Sequence, residues 1–235
     1  MIALQSELQQ RHGVNVKFSS FDFAAPDLHS RAHAVLSSAV GIDRISVLVN
    51  NVGYLSDIPE PFLDHPPGYV DRLITVRSSK NCLFSFFADM YMQVNISAMQ
   101  EMTRLIMPSM CKRGGCCIIN VSSLSAMLTV PLMTVYSASK AYVTTFTSAL
   151  AAESDNVCIM SIEPGTANTD MCHNKHGGID NPHPSAVAKG ALDYAGTGLT
   201  TFTPYWLHQA PTPRDHHRQQ SPHVAHTSRS CKGSD

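Results

Sequence analysis

The stretch RISVLVNNVG, residues 44–53, decides the fold class of this chain. Its β-branched apolar run is broken by two asparagines and a glycine, which is typical of a buried strand that ends in a turn. Residues 26–40, PDLHSRAHAVLSSAV, come directly before it and carry apolar residues at helical spacing. A helix that leads into a continuously apolar strand predicts an α/β fold with a parallel sheet.

The same alternation of helix and strand continues on both sides of this stretch. Helices are predicted over residues 2–12, 94–110 and 136–154, and strands over 14–23, 114–123 and 156–165. This order predicts a doubly wound parallel sheet, in which ligands bind at the carboxyl ends of the strands. Asn51, Ser123 and Pro164 fall at such ends.

Composition excludes several classes of partner. With 235 residues and 43% apolar content, the chain is long enough for one α/β domain. A net charge of -1 gives no global attraction to nucleic acid or anionic lipid, so a small molecule is the expected partner. The seven cysteines form no Cys-x-x-Cys spacing, which favours a reduced intracellular setting. The sequence has no long apolar run or signal peptide and therefore predicts a soluble protein.

Two segments depart from the α/β pattern. Residues 76–93, VRSSKNCLFSFFADMYMQ, form an aromatic-rich insertion immediately before the helix at 94–110. Residues 207–235 are rich in proline, histidine and polar side chains, which predicts a disordered tail. The chain is therefore predicted to form one domain over residues 1–206, with the insertion at 76–93.

The segment TVYSASKAYV, residues 134–143, carries the candidate chemistry. Tyr136 and Lys140 are four residues apart and share one face of the predicted helix. A nearby ammonium lowers the pKa of a phenol from about 10 toward the working pH, as general acid catalysis requires. Ser123, at a neighbouring strand end, can donate a hydrogen bond to a developing alkoxide. Alone, the Tyr-x-x-x-Lys spacing is common on solvated helix faces.

In order along the chain, LVNNVG (48–53), NVSS (120–123), VYSASKAYV (135–143) and EPGTANTDM (163–171) resemble the short-chain dehydrogenase/reductase family. Within it, the sequence is most similar to the group of type 3 17-beta-hydroxysteroid dehydrogenases, hydroxysteroid dehydrogenase-like proteins and long-chain 3-oxoacyl-CoA reductases. The resemblance implies a Rossmann-like fold and NADP(H)-dependent interconversion of a ketone and a hydroxyl group on a steroid or lipid. It also implies location at the endoplasmic reticulum and a possible homodimer.

The resemblance assigns roles to individual residues. Tyr136 is implied to be the proton donor or acceptor, Lys140 to lower its pKa and hold the nicotinamide ribose, and Ser123 to orient the carbonyl. Asn95 matches an asparagine that holds a relay water behind the lysine. The implied cofactor-binding residues are Asp22, Asn50, Asn51, Gly53, Tyr136, Lys140, Pro164, Gly165 and Thr169.

Some of these residues have simpler readings. Asn95 is also compatible with an ordinary polar position on a helix, and Asp22 with the end of a strand. His29 and His33 have a spacing compatible with a metal, but a solvated helix face is the favoured interpretation because the sequence offers no third ligand nearby. No metal site is predicted.

The family's phosphate-binding motif does not occur in this sequence. Family members bind the dinucleotide through a turn of the form Thr-Gly-x-x-x-Gly-x-Gly, and none is present here. The resemblance begins at the helix before the family's third strand, which predicts a domain lacking the first βαβ portion. Two functions stay open: a steroid or lipid oxidoreductase, and a catalytically silent form that acts through dimerisation.

Overall fold

The computed structural model describes residues 2–23, 25, 27–55, 62, 91–169, 171 and 181–209. Most of the predicted insertion, residues 76–90, lies outside these ranges, as do residues 210–235 of the predicted tail. The last three residues of the insertion and residues 207–209 are described. All structural statements below concern the described residues.

Helices and strands alternate along the described chain. The helices are α1 (Ile2–His12), α2 (Leu28–Ala39), α3 (Ala98–Arg113), α4 (Thr134–Ala152) and α5 (Pro184–Asp193). The strands are β1 (Val47–Asn50), β2 (Cys116–Val121), β3 (Val157–Ile162) and β4 (Thr201–Phe202). A π-helical turn, Tyr91–Ser97, leads directly into α3. Short 3₁₀ helices span Ile42–Arg44, Leu124–Ala126 and Trp206–His208.

The four strands form one parallel sheet in the order β1-β2-β3-β4. The register pairs Asn50 with Asn120 and Ser161 with Thr201. Parallel neighbours require crossover connections, and α3 and α4 provide them between β1, β2 and β3. The predicted α/β class with a parallel sheet is confirmed.

The strand predicted over residues 14–23 is wrong. This segment has no regular secondary structure, and Val14 and Phe18 are exposed. A strand is stable only when a neighbour satisfies its backbone hydrogen bonds, and β1 is paired with β2 alone in the described sheet. The β-branched and aromatic composition of 14–23 is therefore not sufficient to make it a strand.

The sheet is packed on both faces, but unevenly. On one face, Leu48, Ile118 and Ile159 pack against Ile106 and Met110 of α3 in the largest core cluster. On the other face a smaller cluster consists of Ile119, Met160, Ile162 and Ala191, the last from α5. The larger cluster takes its residues from three neighbouring strands, so it fixes α3 across the sheet.

The second face is uncovered at β1. Val47 and Val49 point to this face and are 54% and 51% exposed. On β2 and β3, the same face is covered by residues of the α5 cluster. The exposed side of β1 therefore combines an apolar surface with a strand edge that has no partner among the described residues.

The carboxyl-terminal part of the described chain folds back onto the domain. The 3₁₀ helix Trp206–His208 extends two residues into the segment predicted as tail, and Gln209 Nε2 donates a hydrogen bond to the Thr203 carbonyl over 3.1 Å. The described fold thus continues past the predicted boundary at 206. Within the described ranges, the helices are too short or too polar to cross a membrane.

Candidate active site

Tyr136 and Lys140 lie on the buried face of α4, together with Ser139, Val143 and Thr147. The Lys140 Nζ atom is 5.8 Å from the centroid of the Tyr136 ring. The predicted proximity of ammonium and phenol is thus realised by the i, i+4 spacing on one helix. Both side chains are buried, which strengthens the electrostatic effect of one on the other.

Lys140 is almost entirely removed from solvent. Its residue is 5% exposed, and Nζ donates a hydrogen bond to the Val121 carbonyl over 2.9 Å. Burial lowers the pKa of Lys140 from 10.5 to about 8, because desolvation disfavours the charged ammonium. The side chain is therefore mostly protonated near neutral pH, yet its proton is held much less tightly than that of an exposed lysine.

Gly53 lies directly against the lysine head group. A Cβ atom at this position would be 3.3 Å from Lys140 Nζ and 3.5 Å from Asn95 Oδ1. The turn after β1 therefore lets the backbone approach two polar side chains that come from different elements. The structure brings together Gly53, Asn95 and Lys140.

Asn95 is buried in the π-helical turn and holds the chain after β1 in place. Its Oδ1 atom accepts a hydrogen bond from the Tyr54 N–H over 2.6 Å, and its Nδ2 atom donates to the Tyr54 carbonyl over 3.1 Å. Nδ2 also donates to Ser139 Oγ over 3.0 Å. Asn95 therefore links the β1 turn to α4, which is more than an ordinary polar position on a helix provides.

Ser123 follows the carboxyl end of β2 and caps the 3₁₀ helix Leu124–Ala126. Its Oγ atom accepts hydrogen bonds from the Ser125 N–H over 3.2 Å and from Ser125 Oγ over 3.0 Å. The short helix packs against α4. Because both bonds use Oγ as the acceptor, the hydroxyl hydrogen of Ser123 can be directed to another group.

The segment after β3 contains the predicted residues Pro164, Gly165 and Thr169. The Pro164 carbonyl accepts a hydrogen bond from the Leu124 N–H over 3.0 Å, which joins this segment to the 3₁₀ helix after Ser123. Thr169 is exposed at the far end of the segment. The carboxyl ends of β2 and β3 are thus connected by a backbone hydrogen bond at the candidate site.

His208 contacts this segment, and no motif in the sequence predicts the contact. The Gly165 N–H donates to His208 Nδ1 over 3.2 Å, and a Cβ atom at Gly165 would be 2.9 Å from the imidazole ring. The residue lies in the segment predicted as tail, where five histidines occur in a polar, proline-rich context. Only the tertiary structure distinguishes His208 from the other four.

Side-chain amides and hydroxyls form a chain of hydrogen bonds next to the site, and the sequence analysis did not predict these bonds. Asn50 Nδ2 donates to Asn120 Oδ1 over 2.8 Å and to Thr103 Oγ1 over 3.1 Å. Asn120 Nδ2 donates to Thr147 Oγ1 over 2.9 Å. Asn50, predicted as cofactor-binding, thus has a structural role between β1 and β2. The sequence feature that could have indicated this role is an asparagine near the carboxyl end of each of two predicted strands.

The remaining predicted residues lie at the edge of the site or away from it. Asn51 is exposed directly after β1. Asp22 is exposed in the irregular segment before α2, where its carbonyl accepts a hydrogen bond from the Ala25 N–H over 3.2 Å. His29, considered above as a metal ligand, makes a hydrogen bond between its Nδ1 atom and Glu101 Oε2 over 2.8 Å.

Tyr91 is a further residue that the sequence did not single out. It is the third residue from the end of the predicted insertion, and its buried ring packs edge-on against Tyr136 with centroids 6.3 Å apart. Its ring centroid is also 5.1 Å from that of Tyr54. The end of the insertion therefore contributes directly to the surroundings of the candidate proton donor.

Comparison with protein families identifies this arrangement. A family model described as short chain dehydrogenase matches residues 1–178. The chain belongs to the short-chain dehydrogenase family. The family match includes Tyr136, Lys140, Ser123 and Asn95, and it confirms the resemblance drawn from the sequence motifs.

Curated relatives of this short-chain dehydrogenase include very-long-chain 3-oxoacyl-CoA reductases. The protein of that name from Bos taurus is 34% identical over 202 residues, which are 84% of this chain and 58% of the relative. The Homo sapiens protein is 31% identical over 195 residues, 82% of this chain and 56% of the relative. The chain thus spans less than two thirds of the length of these relatives.

Solved structures show the same fold. A short-chain dehydrogenase from Sphingobium yanoikuyae in complex with NADPH has a TM-score of 0.66 and 17% identity, covering 86% of this chain and 73% of that one. For a nicotinamide dinucleotide, the residues of this short-chain dehydrogenase fit only in part. Tyr136 and Lys140 offer a hydroxyl and an ammonium group as hydrogen-bond donors, whereas the 235-residue sequence has no Gly-rich turn for the pyrophosphate.

Proposed function

We propose that this chain carries the proton-transfer half of an NADP(H)-dependent oxidoreductase that interconverts a ketone and a hydroxyl group on a lipid or steroid. The observation that carries the proposal is the buried Tyr136–Lys140 pair beside Asn95 and Gly53. The names of the bovine and human relatives favour a 3-oxoacyl-CoA thioester over a steroid as the substrate.

Each residue has a specific task in the proposed reaction. The nicotinamide, when bound, supplies hydride to the carbonyl carbon. Tyr136 donates its phenolic proton to the carbonyl oxygen, and the Lys140 ammonium stabilises the resulting phenolate. Ser123, whose Oγ already accepts two hydrogen bonds, donates its own hydrogen to the same oxygen and holds it in place.

The experiment is NADPH-dependent reduction of a long-chain 3-oxoacyl-CoA and of a 17-ketosteroid by the purified chain and two variants. Tyr136→Phe removes the phenolic proton and is expected to reduce the rate by roughly 10²–10⁴-fold, the usual contribution of a general acid. Tyr142→Phe is the matched control, since Tyr142 is 40% exposed on the same helix and is expected to keep the parent rate. Equal rates for the parent and Tyr136→Phe would refute the assignment.

A second function is supported by the outer face of α3 and α4. The rings of Tyr142 and Phe146 are stacked with centroids 6.0 Å apart, and Gln100 Nε2 donates to Tyr142 Oη over 2.7 Å. This ordered aromatic surface suits association with a second copy or with an intact family member. Because the sequence holds no Gly-rich phosphate turn, the alternative is a catalytically silent subunit that acts through this surface.

Titration with NADPH separates the two functions. A dissociation constant of about 1 μM for NADPH supports the oxidoreductase. No binding at NADPH concentrations up to about 1 mM supports the silent subunit. Sedimentation of the parent and of Tyr142→Ala then tests the second function directly, because loss of the aromatic surface is expected to abolish the association. We also propose that the protein is located at the endoplasmic reticulum. Cell fractionation with the tagged full chain tests this location.

A further inference from the structure

Two cysteines lie side by side at the opposite end of the sheet from Tyr136. Cys117 on β2 and Cys158 on β3 are register partners in neighbouring parallel strands, so their side chains point to the same face. Both are half-buried free cysteines. The neighbouring residue Cys116 points to the other face and is buried in the main core.

The two thiols line a cavity of about 590 Å³. The cavity lies at the amino ends of β2 and β3, where Gly115, Asp155 and Asn156 form part of its wall, and the loop that contains Gly198 lines another part of it. Its volume falls within the range of about 300–1,000 Å³ that is usual for small-molecule sites. The Asp155 carboxylate at the wall favours a neutral or cationic ligand.

The two cysteines are not equivalent. Burial, together with the charge and the hydrogen bond of the adjacent Cys158, raises the pKa of the Cys117 thiol to about 12. Cys117 therefore stays protonated and is the weaker nucleophile of the two. This arrangement makes Cys158 the sulfur that attacks an incoming electrophile and Cys117 the sulfur that reacts second.

We propose that Cys117 and Cys158 form a reversible dithiol–disulfide pair, which is oxidised by low-molecular-weight disulfides that enter this cavity. The proposal does not depend on the reductase function, because the pair lies at the amino ends of the strands and the candidate active site lies at their carboxyl ends.

The exchange consists of two balanced steps. The Cys158 thiolate attacks one sulfur of the small disulfide, forms a mixed disulfide and releases one small thiolate. The Cys117 thiol then gives its proton to the released thiolate and attacks the Cys158 sulfur, which releases the second small thiolate. One disulfide is reduced and one is formed, so two electrons pass from the protein to the small molecule.

The strand geometry allows the bond. Neighbouring strands lie about 4.7–4.9 Å apart, and disulfides join Cα atoms about 4.4–6.8 Å apart. The in-register pairing of Cys117 and Cys158 meets this requirement without a change of strand register. The bond would cross-link β2 and β3 close to the wall of the cavity that admitted the oxidant.

The test uses the reduced full chain and cystamine, whose ammonium groups suit the Asp155 carboxylate. Peptide mapping of the parent is expected to show a disulfide between Cys117 and Cys158. Cys117→Ser is expected to accumulate a stable cysteamine adduct on Cys158. Cys158→Ser is expected to form no disulfide at Cys117 within the chain, because the partner sulfur is gone.

Cys111→Ser is the matched control, since Cys111 is a half-buried free cysteine on α3, and it is expected to form the Cys117–Cys158 bond like the parent. The proposal is overturned if mapping of the parent finds both cysteines reduced after the reaction, or if the Cys117→Ser adduct forms elsewhere. Mapping of the parent decides the question even where a serine variant fails to fold, and circular dichroism identifies such a variant.

Discussion

Replacing Lys140 by methionine tests the electrostatic state of the candidate site. Methionine keeps a long unbranched side chain on the buried face of α4 but removes the ammonium group. The buried lysine has its pKa lowered from 10.5 to about 8 by desolvation, so the folded protein pays a cost whenever this group is charged. We therefore expect Lys140→Met to be more stable than the parent at neutral pH.

The magnitude follows from the pKa. At about 1.4 kcal/mol per pKa unit, the fall from 10.5 to about 8 corresponds to a cost of about 3 kcal/mol. Methionine loses the hydrogen bond that Lys140 donates to the Val121 carbonyl, which contributes about 1 kcal/mol. The free energy of unfolding of Lys140→Met is then expected to exceed that of the parent by about 2 kcal/mol near pH 7.

The sign of the pH dependence provides a second check. Because the unfolded chain binds this proton more tightly than the folded protein, the free energy of unfolding rises with pH as the group titrates. The cost is fully present below a pH of about 8 and disappears as the pH approaches 10.5. The advantage of the variant should therefore shrink with rising pH and become a deficit of about 1 kcal/mol above about pH 10.5.

Urea unfolding of the parent and Lys140→Met, between about pH 6 and about pH 10, measures the difference. Lys189→Met is the control, because Lys189 is an exposed lysine on α5 and its replacement should give a small, pH-independent change. A variant that is less stable than the parent near pH 7, or a difference that stays constant with pH, would refute the reasoning.

Two further predictions concern packing and hydrogen bonding. Gly190→Ala places a Cβ atom against the Pro204 carbonyl. Although alanine has the higher helix propensity, we expect the free energy of unfolding in urea to fall by about 1–3 kcal/mol. An unchanged unfolding midpoint would contradict the contact. Asn95→Ala leaves the Tyr54 N–H without its side-chain acceptor and should cost about 2 kcal/mol in the same assay. Asn51→Ala, which changes an exposed amide, should stay within about 0.5 kcal/mol of the parent; equal losses for both asparagines would argue against the role of Asn95.

The helices and central strands were predictable because the pattern of apolar residues within each segment is strong. The helices predicted at 2–12, 94–110 and 136–154 agree with α1, α3 and α4 to within a few residues at each end. Strands β2 and β3 are continuous apolar runs, as buried parallel strands must be. Strand β4, with two residues, is too short to leave a periodic signal.

The segment 14–23 shows why composition alone does not make a strand. Its residues favour extended structure, but extended backbone is stabilised by a neighbour rather than by its own side chains. In the described structure Lys17 Nζ donates a hydrogen bond to the Ala39 carbonyl, so the segment is connected to α2 rather than to the sheet. Strand pairing is a property of the whole fold, which a reading of one segment cannot supply.

The proximity of Tyr136 and Lys140 was predictable, but the surroundings of this pair were not. Tyr136 and Lys140 are close because they share a helix face, and their four-residue spacing in the sequence predicts this. Tyr91 and His208 reach the site from distant parts of the chain. Neither belongs to a local pattern, and a contact between segments far apart in sequence leaves no trace in either segment alone.

The hydrogen-bonded amides of the half-buried Asn50 and the buried Asn120 determine the alignment of the strand ends. A slip of one residue between β1 and β2 would move each side chain to the opposite face and leave the Asn120 amide without the partner it has now. These hydrogen bonds therefore stabilise the register of the two strands. The hydrogen bond from Asn120 to Thr147 connects them to α4 in the same way. As a result, the turns that carry Gly53 and Ser123 leave the sheet at a common height, so these asparagines govern the precision of the site without taking part in its chemistry.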